Sequence, residues 1–185
     1  RMRDYWGGLF DQPEVHLVLD EGRSFLRRSR EQFDAIISIH TISNAAVASG
    51  AMALSENYVL TREAFEDYLD HLTPNGVILF SRPEPQLPRI VATARDALAR
   101  RGVADAGPHV YAFRVVPDAG EHRMFGAARE AFEADVLIRK TPFTTEGIGA
   151  LERIASIGVE GGGPDGTVRE RLYSPLDASR GTLYR

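Results

Sequence analysis

Apolar positions run along this chain in two alternating rhythms. Val15–Leu19 reads as a short strand after Pro13, and Asp34–Ile39 as a near-continuous apolar strand buried on both faces. Gly76–Ser81 follows the Pro74-Asn75-Gly76 turn as another buried strand, while His109–Val116 and Ala134–Lys140 give two more. Between them lie segments of helical period. Gly22 to Arg30 turns Phe25 and Leu26 inward, and Thr61 caps a helix to about Leu72 with Phe65, Tyr68, Leu69 and Leu72 on one side. Pro88 to Arg101 carries Ile90, Val91, Ala94, Ala97 and Leu98 on one face and ends at Gly102; Thr144 or Thr145 caps a last helix to about Ile157. His40 to Ser55 reads equally as loop or helix, and Pro117 to Glu133 as a loop with one helical turn. The order predicts an α/β fold. In it Val15–Leu19, Asp34–Ile39 and Gly76–Ser81 are neighbouring parallel strands, and the last two strands form an antiparallel edge pair.

Residues 1–160 are expected to form one partial domain. Residues 161–185, opening on Gly161-Gly162-Gly163-Pro164-Asp165-Gly166, are expected to form a glycine-rich loop and a poorly ordered tail. The chain opens on Arg1 rather than methionine, which suggests a piece of a longer polypeptide.

Composition narrows the chemistry mainly by exclusion. The 185 residues are 43% hydrophobic and 26% charged, the balance of a soluble globular domain, and no apolar run is long enough to span a membrane. With no cysteine there is no disulfide, thiolate metal site or thiol nucleophile. Lys140, the only lysine, has no phosphate-loop motif around it. The net charge of -4 gives no footprint for nucleic acid, and Arg23, Arg27, Arg28 and Arg30 read as a solvated helix face. His16, His71, His109 and His122 lack metal-ligand spacing, and no G-x-S-x-G elbow supports a hydrolase.

Ligands of open α/β sheets bind beyond the carboxyl ends of the strands. The informative residues are therefore Asp20-Glu21-Gly22, His40 to Tyr58, and Arg82 to Gln86. Asp20 and Glu21 could equally serve a helix N-terminus. His40 could act as a base or be a plain loop residue, and Glu56, Asn57 and Tyr58 could be a polar approach to the next helix.

Three segments together resemble the spermidine-synthase family and its methyltransferase-like relatives. Pro13-Glu14-Val15 through Asp20-Glu21-Gly22-Arg23-Ser24-Phe25-Leu26 resembles "PRV…DGRxFL", and Phe33-Asp34-Ala35-Ile36-Ile37 resembles "YDVII". Leu60-Thr61-Arg62-Glu63-Ala64-Phe65 through Leu72-Thr73-Pro74-Asn75-Gly76-Val77 resembles "LYTxEFY…LxPGGV". Runs such as Ala53-Leu54-Ser55-Glu56-Asn57-Tyr58 are similar to bacterial relatives that carry this domain beside a membrane region.

The resemblance implies a Rossmann-like, class I methyltransferase-type sheet that is N-terminally incomplete, because the glycine-rich loop and ribose-binding acid are not found in residues 1–12. It implies S-adenosylmethionine as the cofactor of the full-length protein, with Asp20, Glu21, Gly22, Ser38 and Ile39 on the cofactor side. Glu21 takes the place of the acid that receives the adenine amino group. Glu56, Asn57 and Tyr58 border the substrate, a small-molecule acceptor, and His40 is the catalytic candidate. A cytoplasmic protein follows, or one on the cytoplasmic side of a membrane-anchored parent; a homodimer is compatible with the exposed sheet side. The aminopropyltransferases of the family end their central strand in "YDVIIVDSSDP", whose two later acids fall here on Ile39 and Ile42. Three functions stay open: a transferase, a degenerate non-catalytic module for interaction or regulation, and, least supported, half of a nicotinamide-dependent oxidoreductase.

Overall fold

A computed structural model describes residues 5, 7–39, 58–116, 133–157 and 168–177. Five strands form one open sheet: β1 (Phe33–Ile39), β2 (Leu72–Pro83), β3 (Val110–Val116), β4 (Glu133–Ile138) and β5 (Val168–Tyr173), in the order β1-β2-β4-β3-β5. β1 and β2 are parallel, and every other pairing is antiparallel. The helices are α1 (Gly22–Arg28), α2 (Arg62–His71), α3 (Leu87–Arg100) and α4 (Thr145–Ala155). The fold is thus α/β and Rossmann-like, with β1, α2 and β2 as its parallel βαβ unit and antiparallel strands beyond.

Alternation along β2 divides the core in two. Ile78 and Phe80 face a main core with Phe65, Tyr68 and Leu69 of α2 and Ile90, Val91, Ala94, Ala97 and Leu98 of α3. Val77 and Leu79 face the other side, where Tyr111, Phe113, Leu137 and Ile148 pack under α4. Phe65, Tyr68 and Phe80 form an aromatic cluster, with ring centroids 5.3 to 6.1 Å apart. Helix ends follow the sequence closely. Thr61 accepts from the Ala64 amide and Thr144 from the Gly147 amide. Gly102 closes α3 at φ +84°, a left-handed conformation suited to glycine. The Pro74–Gly76 turn is absorbed into β2 as an excursion: Phe33 pairs with Leu72, but Ala35 pairs with Val77. Gly76 sits so close to β1 there that a Cβ would lie 2.8 Å from the Phe33 carbonyl oxygen.

Three expectations are corrected. Among the described residues Val15–Leu19 joins no ladder, and Leu17, Val18 and Leu19 are exposed. An apolar run supplies side chains for a strand but not the neighbour whose backbone completes it. Asp34–Ile39, expected inside the sheet, is an edge strand among the described residues; Ile37 and Ile39 are 59% and 60% exposed. The tail was expected to lack order, yet Val168–Tyr173 pairs with β3 and Tyr173 is buried in the main core. Its charged residues conceal the strand in sequence, and they are paired in the fold: Glu170 with Arg114, and Arg171 with Glu152. Charge on an outermost strand also discourages further pairing.

Phe80 on β2 is buried in the main core, so Phe80→Ala is expected to cost about 3–5 kcal/mol, the range for deleting a buried aromatic ring. Ile154→Ala, at an exposed position on α4, should change stability by no more than about 0.5 kcal/mol. Urea denaturation of both variants checks the contrast.

Candidate functional site

The carboxyl ends of β1 and β2 lie side by side, with Ser38 opposite Phe80 and Ile39 opposite Ser81. Arg82 follows on β2 and is 1% exposed. Its guanidinium donates from Nη1 to the carbonyl oxygens of Ser81 (2.7 Å) and Ser38 (3.2 Å), and from Nη2 to Ser38 Oγ (3.1 Å). The cationic carbon lies 5.9 Å from the centre of the Phe80 ring. Burial pulls the Arg82 pKa down, although an arginine starts so far above neutrality that it keeps its proton.

Tyr68 extends the same end of the sheet. Its hydroxyl donates to the Val59 carbonyl at 2.8 Å, and burial drives its pKa well above the usual phenol value. Glu21 and Asp67 push the same way while Arg23 and Arg82 oppose them, so two acids and two cations all act on this hydroxyl.

Asp20, Glu21 and Gly22 stand at the start of α1. Glu21 is the N-cap: Oε1 accepts from the Arg23 amide at 3.0 Å and Oε2 from the Ser24 amide at 2.8 Å. These two backbone bonds hold its pKa below the ordinary 4.5. Asp20 accepts from the Glu21 amide and pairs with Arg28. Gly22 opens the helix with nothing within 4 Å of where a Cβ would stand. Arg23, expected on a solvated face, instead binds Asp67 at 2.6 Å and ties α1 to α2. This neighbourhood is what brings Glu21 toward Tyr68.

The other candidates divide. Ser38 and Ile39 stand at the end of β1, and Tyr58 begins a short 3-10 turn, Tyr58–Leu60, ahead of α2. His40, Glu56, Asn57 and Ile42 lie outside the described residues, as does His122. His109 is buried, with Nδ1 3.1 Å from the Arg139 carbonyl oxygen, and His71 bridges the carbonyls of Asp67 and Ser29; both fit a structural role. Tyr68 is the residue that sequence reasoning left out of the site, while Arg82 opened a stretch it singled out, Arg82 to Gln86, without a role. The position of Arg82 directly after a strand was a usable signal. Tyr68 gave none, because its spacing on α2 is that of a core residue.

On the opposite face, Tyr111 donates to Glu152 at 3.0 Å, and burial pushes its pKa up to about 12. Arg171 completes that group, which locks α4 and β5 to the sheet. Among the described residues no cluster of three or more histidines and carboxylates could hold a metal, and no helix is long and apolar enough to cross a membrane.

No protein-family model matches the chain, and no curated protein sequence matches it significantly. Among solved structures, the chain is similar to a spermidine synthase in complex with the transition-state analogue AdoDATO, at 14% identity and a TM-score of 0.48. The match covers 82% of this chain and 42% of that one, so this chain spans less than half of the neighbour's length.

Because the Glu21 pKa is lowered in the fold, its capping contribution is present above the unfolded value near 4.5 and is lost as pH falls through the folded value. Glu21→Gln removes the charge. The stability gap between wild type and Glu21→Gln should therefore be largest near pH 7 and shrink steadily below about pH 4.5. Urea midpoints measured from pH 7 to pH 3 test this, and a gap independent of pH would contradict it.

Proposed function

We propose that these residues form the C-terminal part of an S-adenosylmethionine-dependent transferase domain of the spermidine-synthase-like group. Methyl transfer is the reaction, and the acceptor is a small molecule less cationic than a diamine. The observation that carries this reading is the parallel β1–β2 pair, whose carboxyl ends bring together Ser38, Ile39 and Arg82. The three sequence segments that resemble the family provide β1, α1, α2 and the turn into β2. The same reading places the protein in the cytoplasm or on the cytoplasmic side of a membrane-anchored parent.

The residues present fit one end of the cofactor. Each Glu21 oxygen accepts one described amide bond and keeps a lone pair for an adenine amino group. The space beside Gly22 leaves room for a ring to approach. A glycine loop and a ribose-binding acid are not among the described residues, so the remainder of the cofactor has to be held by other parts of the polypeptide. The cofactor brings an electrophilic methyl group. Ser38 and Ile39 would border it, and His40 would be the candidate base for the acceptor.

Ile39 separates this reading from aminopropyl transfer. It occupies the first of two places where the synthases carry an acid, and an isoleucine cannot take a proton or pair with an ammonium group. The second reading, a non-catalytic module, is favoured by the commitment of both Glu21 oxygens to capping α1.

The 185-residue chain alone is expected to bind S-adenosylmethionine weakly or not at all, and micromolar affinity by calorimetry would overturn the half-site reading. The parent polypeptide is expected to bind S-adenosylmethionine and to form no spermidine from putrescine and decarboxylated S-adenosylmethionine. Robust spermidine formation would overturn the reading of Ile39. Absence of S-adenosylmethionine binding by the parent would leave the non-catalytic module.

A further inference from the structure

We propose that His71 is a proton-operated clasp: its doubly protonated ring ties the carboxyl end of α1 to α2, and loss of one proton opens that tie. Both ring nitrogens face carbonyl oxygens. Nδ1 lies 2.7 Å from the Asp67 carbonyl oxygen, and Nε2 lies 3.3 Å from that of Ser29. A carbonyl oxygen only accepts. Both bonds therefore exist together only when both nitrogens carry hydrogen, which is the imidazolium cation. A neutral ring donates once. If the shorter bond to Asp67 keeps the hydrogen, the Nε2 lone pair is left against the lone pairs of the Ser29 carbonyl.

The position suits a cation. His71 is the last residue of α2, where the helix dipole favours positive charge. Ser29 is the C-cap of α1, and its amide donates to the Phe25 and Leu26 carbonyls. The clasp thus grips α1 where the helix ends. Near the start of α1, Arg23 binds Asp67, and arginine and aspartate do not ordinarily titrate near neutrality. Leu26 lies between the two ties, buried in the main core. Of these attachments only the histidine responds to protons in this range.

The charged groups of the surrounding elements are engaged elsewhere or exposed. On α2, Asp67 takes Arg23, and Asp70 takes Arg101 from the end of α3. On α1, Arg28 pairs with Asp20, and Arg27 is exposed. Arg30 and Glu31, between α1 and β1, are exposed, and Asp34 on β1 accepts from Thr73. Lys140 donates to the carbonyl of Leu72, next in sequence to His71, and is a like charge that opposes the protonated ring. Among the described residues none of these groups bonds the ring.

Free histidine titrates near about pH 6.5. The state with both protons is favoured on the acid side, so the clasp closes at low pH and opens as pH rises through neutrality. α1 begins at the Asp20-Glu21-Gly22 group, and the clasp sets how firmly the helix behind that group is held. Its bearing on S-adenosylmethionine rests on the transferase reading, and the clasp itself does not.

The test is ring and backbone NMR of the 185-residue chain between about pH 5.5 and pH 8, with His71→Gln beside it. Glutamine can donate from its amide but carries no charge at any pH. At the acid end both His71 ring N–H protons should be visible, protected from solvent by their carbonyl partners. As the ring titrates, the Ser29 carbonyl shift should move with it. Hydrogen exchange of the α1 amides, corrected for the intrinsic rate at each pH, should quicken by roughly fivefold or more. In His71→Gln the corrected exchange should not depend on pH, although His16, His40, His109 and His122 remain.

A Ser29 carbonyl shift that ignores the titration, or the same pH dependence in His71→Gln, would overturn the proposal and leave the ring as a neutral spacer between two helices. If His71→Gln fails to fold, the ring protons and the Ser29 shift of the wild-type chain decide alone. The readout needs no S-adenosylmethionine, so failure of the methyl-transfer reading and failure of this one are separate results.

Discussion

Burial of β2 on both faces is the constraint from which the remaining structure follows. Of its twelve residues, Leu72 and Val77–Ser81 pair in parallel with β1, and Ile78–Pro83 pair antiparallel with β4. Ile78 and Phe80 anchor α2 and α3, while Val77 and Leu79 help to cover the face under α4. Each of these contacts fixes the register of the others, because sliding β2 by one residue would exchange its two apolar faces. The same constraint delivers Arg82. Two residues after Phe80 on the same face, its side chain is carried into the neighbourhood of the aromatic cluster, although it is a cation. A charge in that position requires polar partners, and the end of β1 supplies them through Ser38. The functional candidate is in this sense a consequence of strand register.

Elements whose signal is local were legible in the sequence. Thr61 and Thr144 cap helices because a threonine hydroxyl satisfies an orphan amide, whatever the tertiary context. The apolar faces of α2 and α3 were equally plain, since Phe65, Tyr68 and Leu69, or Ile90, Val91, Ala94, Ala97 and Leu98, share one side at helical spacing. Neighbour relations between strands were not legible. β4 inserts between β2 and β3, so chain order does not give sheet order. Val15–Leu19 has the composition of a strand but no described partner, and Val168–Tyr173 has a partner but too many charges to read as a strand. In both cases the deciding quantity is the adjacent backbone, which a residue pattern does not encode.

For the candidate site, the sequence offered positions without side-chain partners. The rule that ligands gather at strand ends selected Asp20-Glu21-Gly22, His40 to Tyr58 and the stretch from Arg82 to Gln86, and the family resemblance added Ser38 and Ile39. It could not reveal that Glu21 spends both oxygens on the first turn of α1, or that Ser38 holds a guanidinium. The Glu21 cap is local, made to amides two and three residues on, but the Ser38–Arg82 contact joins residues 44 positions apart. Pattern reading selects an address, and long-range hydrogen bonds decide what is done there.

β1 brings these threads together. Its sequence, Phe33-Asp34-Ala35-Ile36-Ile37-Ser38-Ile39, alternates two apolar faces, the composition of an inner strand. In the described structure only one edge and one face are satisfied: β2 pairs with it, and Ile36 and Phe33 join the main core while Ile37 and Ile39 face outward. No proline, glycine or lysine interrupts the strand to discourage pairing at its open edge. Ile37 and Ile39 lie opposite Leu79 and Ser81, on the face away from Ser38, Phe80 and Arg82, so whatever covers them closes the other side of the sheet. Ser38 and Arg82 are tied together on the main-core face independently of how that apolar flank is closed.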